Sequence, residues 1–288
     1  MSILISAESR IMVQGITGRR GHFHASQMLK SGSQIVGGTS PGKGGDWSHE
    51  GRLPIFDTVR DCVDATSADV SVIFVPPHST ADAILESIDC GVKTIISITG
   101  SIPLQDMMVV KSALKNSDSI LVGPNSPGVL VPGIANAGIF PNDIAFQGNV
   151  GVVSRSGTLC YEIVDTLKRE GIGVSTVVGI GDDPIIGIDY PTCLELFEAD
   201  PHTDQIVLIG GPGGDSEMKA ATYIMENVTK PVIAYVVGES LATSILRPFF
   251  SRSGSLSLDS LGKKTGALID ASVRVAGKLS DIPAIIKS

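Results

Sequence analysis

Three glycine-rich turns in this chain carry the residue types that hold an anion. The first is Gly15-Ile16-Thr17-Gly18-Arg19-Arg20-Gly21, set between an apolar run at 11–13 and a helix-like pattern over 22–29 that stops at Gly32. A strand, a tight turn and a helix start in that order leave backbone N–H groups unpaired at the positive end of a helix, where a phosphate binds. The spacing G-x-x-G-x-x-G differs from the G-x-G-x-x-G of dinucleotide sites, and the same glycines also serve as an ordinary turn in a parallel α/β sheet. A lysine flanked by glycines, in Pro41-Gly42-Lys43-Gly44-Gly45, can swing onto a phosphate or stand as a solvated loop charge. The second turn, Ser154-Arg155-Ser156-Gly157, and the third, Gly210-Gly211-Pro212-Gly213-Gly214-Asp215, each open a helix as well. They read as a pair of facing anion sites or as capping turns.

Other chemistry-bearing residues are weaker candidates. Cys160, beside Tyr161 and just after the Ser-Gly turn, is a nucleophile if the helix start lowers its pKa, and otherwise a small core residue. Asp182-Asp183 supplies too few ligands by itself for a metal. His24, one turn into the first helix, reads as packing or capping.

The elements that must position these residues alternate along the chain. A strand at 34–40 runs into the Lys43 loop, and the continuous apolar run at 69–75 (DVSVIFV) is a strand buried on both faces. Pro76-Pro77 end that strand, Ser79 stands where an N-cap belongs, and a helix follows over 81–90. Strands at 94–98 and 119–122 enclose a helix over 107–116. Strands alternating with helices imply a parallel sheet with right-handed crossovers and a ligand at the strand C-terminal ends. Thr17, Gly18, Lys43, Pro76 and Thr99 then surround one mouth. Residues 124–148, opening Pro124-Asn125-Ser126-Pro127-Gly128, read as a crossing between a domain over 1–123 and a second α/β domain over 149–288. In the second domain, strands fall at 150–153, 174–178, 205–209 and 232–237, helices at 158–169, 191–197 and 217–227, and a last helix and strand end at Ile286.

Composition bounds the answer. A chain of 288 residues suits two domains, and 42% apolar residues supply a sizeable core. A net charge of −8 argues against nucleic acid as the main partner, although a local basic pocket is compatible with it. Cys62, Cys90, Cys160 and Cys193 are scattered without a CxxC pair, as buried thiols of a reducing compartment are. The start of the chain lacks a basic-then-apolar signal pattern and no apolar run reaches ~18 residues. A soluble cytoplasmic protein is expected, or a matrix protein if a transit peptide has been removed.

Taken together, GITGRRG, GGTSPGKGG, GPNSPGV, VGVVSRSGTLCYEI, GIGDDP and the pattern around IVLIGGPGG closely resemble the α subunit of succinyl-CoA synthetase, the ADP- or GDP-forming succinate–CoA ligase, in register over nearly the whole chain. The resemblance implies a Rossmann-like CoA-binding domain followed by a flavodoxin-like ligase domain. It also implies an ATP-grasp-type β subunit that binds ATP or GTP with magnesium. Family contacts to CoA fall on positions matching Thr17, Gly18, Arg19, Arg20 and Lys43, and on Ile98, Thr99 and Gly100. Arg19 and Arg20 stand where small or amide side chains are commoner, and two extra cations suit a CoA phosphate. Tyr161 matches a position that contacts the carboxylic substrate. Asp182 stands where the family has glycine, which adds a charge near the site.

One departure bears on mechanism. The family's reaction passes a phosphoryl group through a histidine in a G-H-A-G-A-I loop, supported by a glutamate in a G-E-I-G-G turn. Here the loop reads Ser251-Arg252-Ser253-Gly254-Ser255-Leu256, which puts Arg252 at the histidine position, and Gly211 stands at the glutamate position. The chain's histidines are His22, His24, His49, His78 and His202, so alignment slippage does not restore one. A phosphohistidine needs a neutral imidazole nitrogen, which a permanently protonated guanidinium cannot replace. Three readings follow. In the first, acyl transfer persists without covalent phosphorylation of this subunit: Ser156, Gly157, Gly213 and Gly214 keep an anion pocket and Arg252 closes it. Histidine-lacking relatives associated with carbamoyl transfer offer a parallel. In the second, the chain is a non-catalytic CoA-binding or regulatory subunit. In the third, phosphoryl transfer is direct or uses a residue of another chain.

Overall fold

The computed structural model describes residues 3–238 and 258–288. By contacts the chain divides into two units, 2–144 with 178–188, and 145–177 with 189–288.

The first unit is built on β1 (Ile11–Gln14), α1 (Arg19–Lys30), β2 (Ile35–Thr39), β3 (Trp47–Ser48), β4 (Leu53–Phe56), α2 (Val59–Thr66), β5 (Val70–Ile73), α3 (Pro77–Asp89), β6 (Thr94–Ser97), α4 (Leu104–Leu114) and β7 (Ile120–Val122). The sheet order is β3-β4-β2-β1-β5-β6-β7, with only β3 antiparallel to its neighbour. Without β3 the order is that of a Rossmann sheet, whose direction reverses between β1 and β5. All four residues of β1 and of β5 are buried, as expected for strands covered on both faces.

Helix starts differ from the sequence pattern for identifiable reasons. α1 begins at Arg19, with Gly18 as N-cap, because Arg19, Arg20 and Gly21 are helical without contributing to an apolar stripe. α3 begins at Pro77, so Ser79 lies inside its first turn rather than at the cap. The fixed φ of proline suits a first helical position, and α4 likewise starts directly after Pro103. β4 and α2 are only four and eight residues long, too short for a pattern to mark them in the sequence. Their positions follow from β2–β4 pairing and from Thr58, whose hydroxyl accepts the Asp61 N–H.

The second sheet contains β8 (Gly128–Val131), β9 (Ala135–Gly138), β10 (Gln147–Ser154), β11 (Val174–Gly179), β12 (Gln205–Gly210), β13 (Val232–Val236) and β14 (Arg274–Val275). Its helices are α5 (Gly157–Arg169), α6 (Tyr190–Ala199), α7 (Ser216–Asn227), α8 (Leu258–Asp270) and α9 (Ile282–Lys287). The order is β14-β13-β12-β10-β11-β8-β9. Counting from β10, strands β10 to β14 run 2-1-3-4-5, the flavodoxin-like order, with its switch point between β10 and β12. Residues 124–148, expected as a crossing, contain the antiparallel hairpin β8–β9. The described chain ends in a helix, not a strand. β14 is two residues long, and Pro283 in the first turn suits the start of α9.

Candidate functional site

The first site grows from the β1–β5 switch point. Gly18 caps α1 without a side-chain hydrogen bond, and the first turn holds no acidic residue but two arginines. The amides of Arg19, Arg20 and Gly21 have no intrahelical acceptor, and two cations sit at the positive end of the helix dipole, an arrangement that an anion relieves. Gly15 has φ +77°, and a Cβ at Gly21 would drive into the Gly15 carbonyl oxygen, so both glycines are needed for the chain to turn this closely. The resulting cavity is about 640 Å³, within the range of small-ligand sites. Thr17, Gly18, Arg19 and Arg20 line it, facing Phe74, Val75 and Pro76. The Thr17 and Ser40 hydroxyls are 2.7 Å apart, and the Ser40 carbonyl accepts the Lys43 N–H at 3.0 Å, so the Lys43 loop starts at the cavity wall.

Lys43, Ile98, Thr99 and Gly100 do not line this cavity. The Thr99 hydroxyl donates to the Val75 carbonyl at 2.7 Å, which ties that strand end to the wall, while Ile98 and Gly100 are half-buried alongside. Asp183 accepts the Ser101 N–H at 2.8 Å and so holds the same strand-end segment. Asp57 and Glu86, on the cavity wall, accept the N–H groups of Gly44 and Val59 and act there as backbone caps. His24 stacks on Phe74 with ring centroids 5.4 Å apart, and burial, with Arg20 nearby, holds its pKa below the usual imidazole value.

The second site rises from β10 and β12, which are parallel neighbours with Ser154 opposite Ile209. Ser156 caps α5 by accepting the Leu159 N–H, and Ser154 holds the turn through both the N–H and the carbonyl of Ser156. The amides of Gly157 and Thr158 remain at the helix start. α7 has no side-chain cap, and Gly213 (φ +78°) and Gly214 (φ +64°) lead into it. The two helix starts expected to face each other therefore leave adjacent strands at the same sheet edge. Under them lies a cluster that sequence reasoning did not single out. Glu217 and Lys264 are fully buried, with Nζ 2.6 Å from a Glu217 carboxylate oxygen, and Arg155 Nη1 stands 3.6 Å from the other oxygen. Lys264 and Arg155 thus approach the one Glu217 carboxylate from its two oxygens beneath the turns. Lys264 looks in sequence like any lysine of an amphipathic helix, and no local pattern marks it. Arg155 sits inside the SRSG motif, which did signal it.

Cys160 is fully buried and burial pushes its thiol up to about 12, so it is a core residue and not a thiolate nucleophile. Tyr161, on α5, is half-buried and its phenol is also pushed up by burial. Arg252 lies outside the described residues. Among the described residues no group of three His, Cys, Asp or Glu is arranged to hold a metal, and no helix is long and apolar enough to cross a membrane.

Comparison with known proteins bears on both sites. The CoA binding domain family matches residues 6–100 and the CoA-ligase family residues 153–246. The chain is 42% identical over 98% of its length to the succinate–CoA ligase [ADP-forming] subunit alpha 1 of Archaeoglobus fulgidus, covering 96% of that protein. It is 50% identical over 83% of its length to the malate–CoA ligase subunit alpha of Methylorubrum extorquens, covering 81% of it. Among solved structures, ATP citrate lyase from Methanothrix soehngenii, in complex with citrate and coenzyme A, superposes with a TM-score of 0.85 at 22% identity. That match covers 99% of this chain, which spans 50% of the lyase chain, and it is a likeness of fold.

Proposed function

The chain belongs to the succinate–CoA ligase α-subunit family, and from that premise we propose that it binds CoA and a small anionic acid or acyl phosphate within an acid–CoA ligase complex. The observation that carries this reading is the uncapped, doubly cationic start of α1 at the sheet switch point. There the first-turn amides with Arg19 and Arg20 hold a CoA phosphate, and Lys43 reaches a second one from its loop. Ile98, Thr99 and Gly100 guide the chain of CoA past the neighbouring strand end. In the second unit, Ser156, Gly157, Gly213 and Gly214 hold the phosphate of an acyl phosphate, and Tyr161 contacts the acid. The CoA thiolate attacks the acyl carbon, the thioester C–S bond forms, and phosphate leaves into the amide cradle. An ATP-grasp-type β subunit supplies ATP or GTP with magnesium.

The absence of any histidine after His202 supports a reaction without a phosphohistidine on this chain. By alignment Arg252 takes that position, and its permanent cation is the group we propose to meet the phosphate there. The same absence also favours a second reading, a CoA-binding regulatory subunit that retains its β partner and does no chemistry.

The test is to purify the chain with its β partner and follow thioester formation from succinate and from malate with CoA and ATP or GTP, alongside labelling with γ-³²P-nucleotide. Thioester formation without label on this chain, abolished by Arg252→Ala, is expected. Acid-labile label retained on this chain would sink the histidine-free step. CoA binding without turnover on any acid tested would favour the regulatory reading.

A further inference from the structure

Lys264 is the least expected residue of the second unit: a lysine with no exposed surface, held by a loop rather than by solvent. Its Nζ donates to the Gly211 carbonyl at 2.8 Å and to the Gly213 carbonyl at 2.5 Å, and faces Glu217 at 2.6 Å. Among the described residues the Glu217 oxygen on that side has no hydrogen-bond partner, so it meets the ammonium as a charge contact. The other carboxylate oxygen accepts the Gly211 N–H at 2.9 Å. Arg155 donates to the same Gly213 carbonyl at 3.3 Å. The glycine turn is thus gripped from below by a lysine on α8, a glutamate on α7 and an arginine at the end of β10.

The consequence follows from peptide geometry. In a planar trans peptide the C=O and the next N–H point in opposite directions. A Gly213 carbonyl drawn down onto Lys264 and Arg155 therefore turns the Gly214 N–H away from the buried cluster. Gly214 is exposed, and its N–H meets no acceptor among the described residues. Pro212 has no N–H, so the Gly211 carbonyl can also turn down without orienting an opposing donor. Both left-handed conformations, at Gly213 and Gly214, belong to this arrangement.

We propose that Lys264 is a positioning residue of the acid–CoA ligase reaction: through the Gly211 and Gly213 carbonyls it aims the Gly214 amide at the phosphate held at the start of α7. The inference rests on the second-unit anion site proposed above. Lys264 touches no substrate. Its charge also lies beneath the bound anion, but its bonded partners are the loop carbonyls and Glu217.

The test uses the full chain, labelled with ¹⁵N-glycine, titrated with inorganic phosphate and, separately, with CoA. In the native chain phosphate shifts the Gly214 amide resonance. In Lys264→Met/Glu217→Gln, which removes both buried charges together, phosphate binds about tenfold more weakly or worse, and the Gly214 shift is lost while CoA affinity is retained. Lys264→Arg keeps the charge beside Glu217 and is the variant suited to preserving the fold. Its guanidinium cannot bring one nitrogen onto Glu217 and both carbonyls, and it weakens phosphate by a smaller factor. Unchanged phosphate affinity in a folded variant of either kind overturns the proposal. A native chain whose Gly214 amide ignores phosphate removes the anion site itself, and the proposal with it.

Discussion

Arg19 and Arg20 occupy helix positions where a cation is disfavoured by the dipole, a cost that a bound anion would offset. Replacing both with alanine is expected to weaken CoA binding by about tenfold or more and to flatten its salt dependence, measured by calorimetry at two ionic strengths. The same change should raise the Tm of the CoA-free chain. A lowered Tm together with unaltered CoA affinity would show that the arginines serve packing. At Cys160 the expectation is inertness: with its thiol pushed up to about 12 and no exposed surface, it should resist iodoacetamide in the folded chain, and Cys160→Ala should turn over normally in the complex. His24 and His49 are both held below the usual 6.5 by burial, so over the window beneath 6.5 the folded chain binds fewer protons than the unfolded one. Their contribution to stability is present above 6.5 and is lost as pH falls through that window. Urea unfolding at about pH 5.5 and 7.5 should show a smaller pH difference in His24→Gln than in the native chain.

At the scale of elements, the β1–α1 turn depends on backbone passing close to backbone. Gly21→Ala pushes a methyl group into the Gly15 carbonyl, which should cost about 2 kcal/mol or more and abolish CoA binding. A denaturant midpoint unchanged from native would overturn this view of the turn. Strand positions were legible because Val70–Ile73 and Gln205–Gly210 are nearly continuous apolar runs. Helix starts were less legible: α1, α3 and α4 open on arginines or directly beside prolines, where no hydrophobic stripe has yet begun. The hairpin β8–β9, with sequences GVLV and ANAG around a short turn, is too weakly patterned to separate from a linker.

At the scale of the whole molecule, the chain carries one Rossmann-like and one flavodoxin-like sheet, each with a proposed anion site at its own switch point. Hydrogen exchange should therefore resolve two footprints. CoA is expected to slow exchange around residues 15–21, 39–45 and 74–76, and inorganic phosphate around 155–159 and 211–217. Each ligand at a hundredfold excess over its Kd should add about 2.7 kcal/mol to the unit it binds. Phosphate protection confined to residues 15–21 would mean that the second site is not an anion site.

The sequence by itself determined the alternation of strands and helices, the three glycine turns and the lack of a histidine after His202, because each is read along the chain without reference to what folds against it. Its resemblance to a family supplied the ligands. Only the tertiary structure decided that β10 and β12 lie side by side, so that two helix starts share one edge. It alone joined Lys264 to Glu217 and to a loop more than fifty residues earlier. A buried ion pair of that kind leaves no local periodicity: its charges are compensated across helices, and the distance that matters is in space.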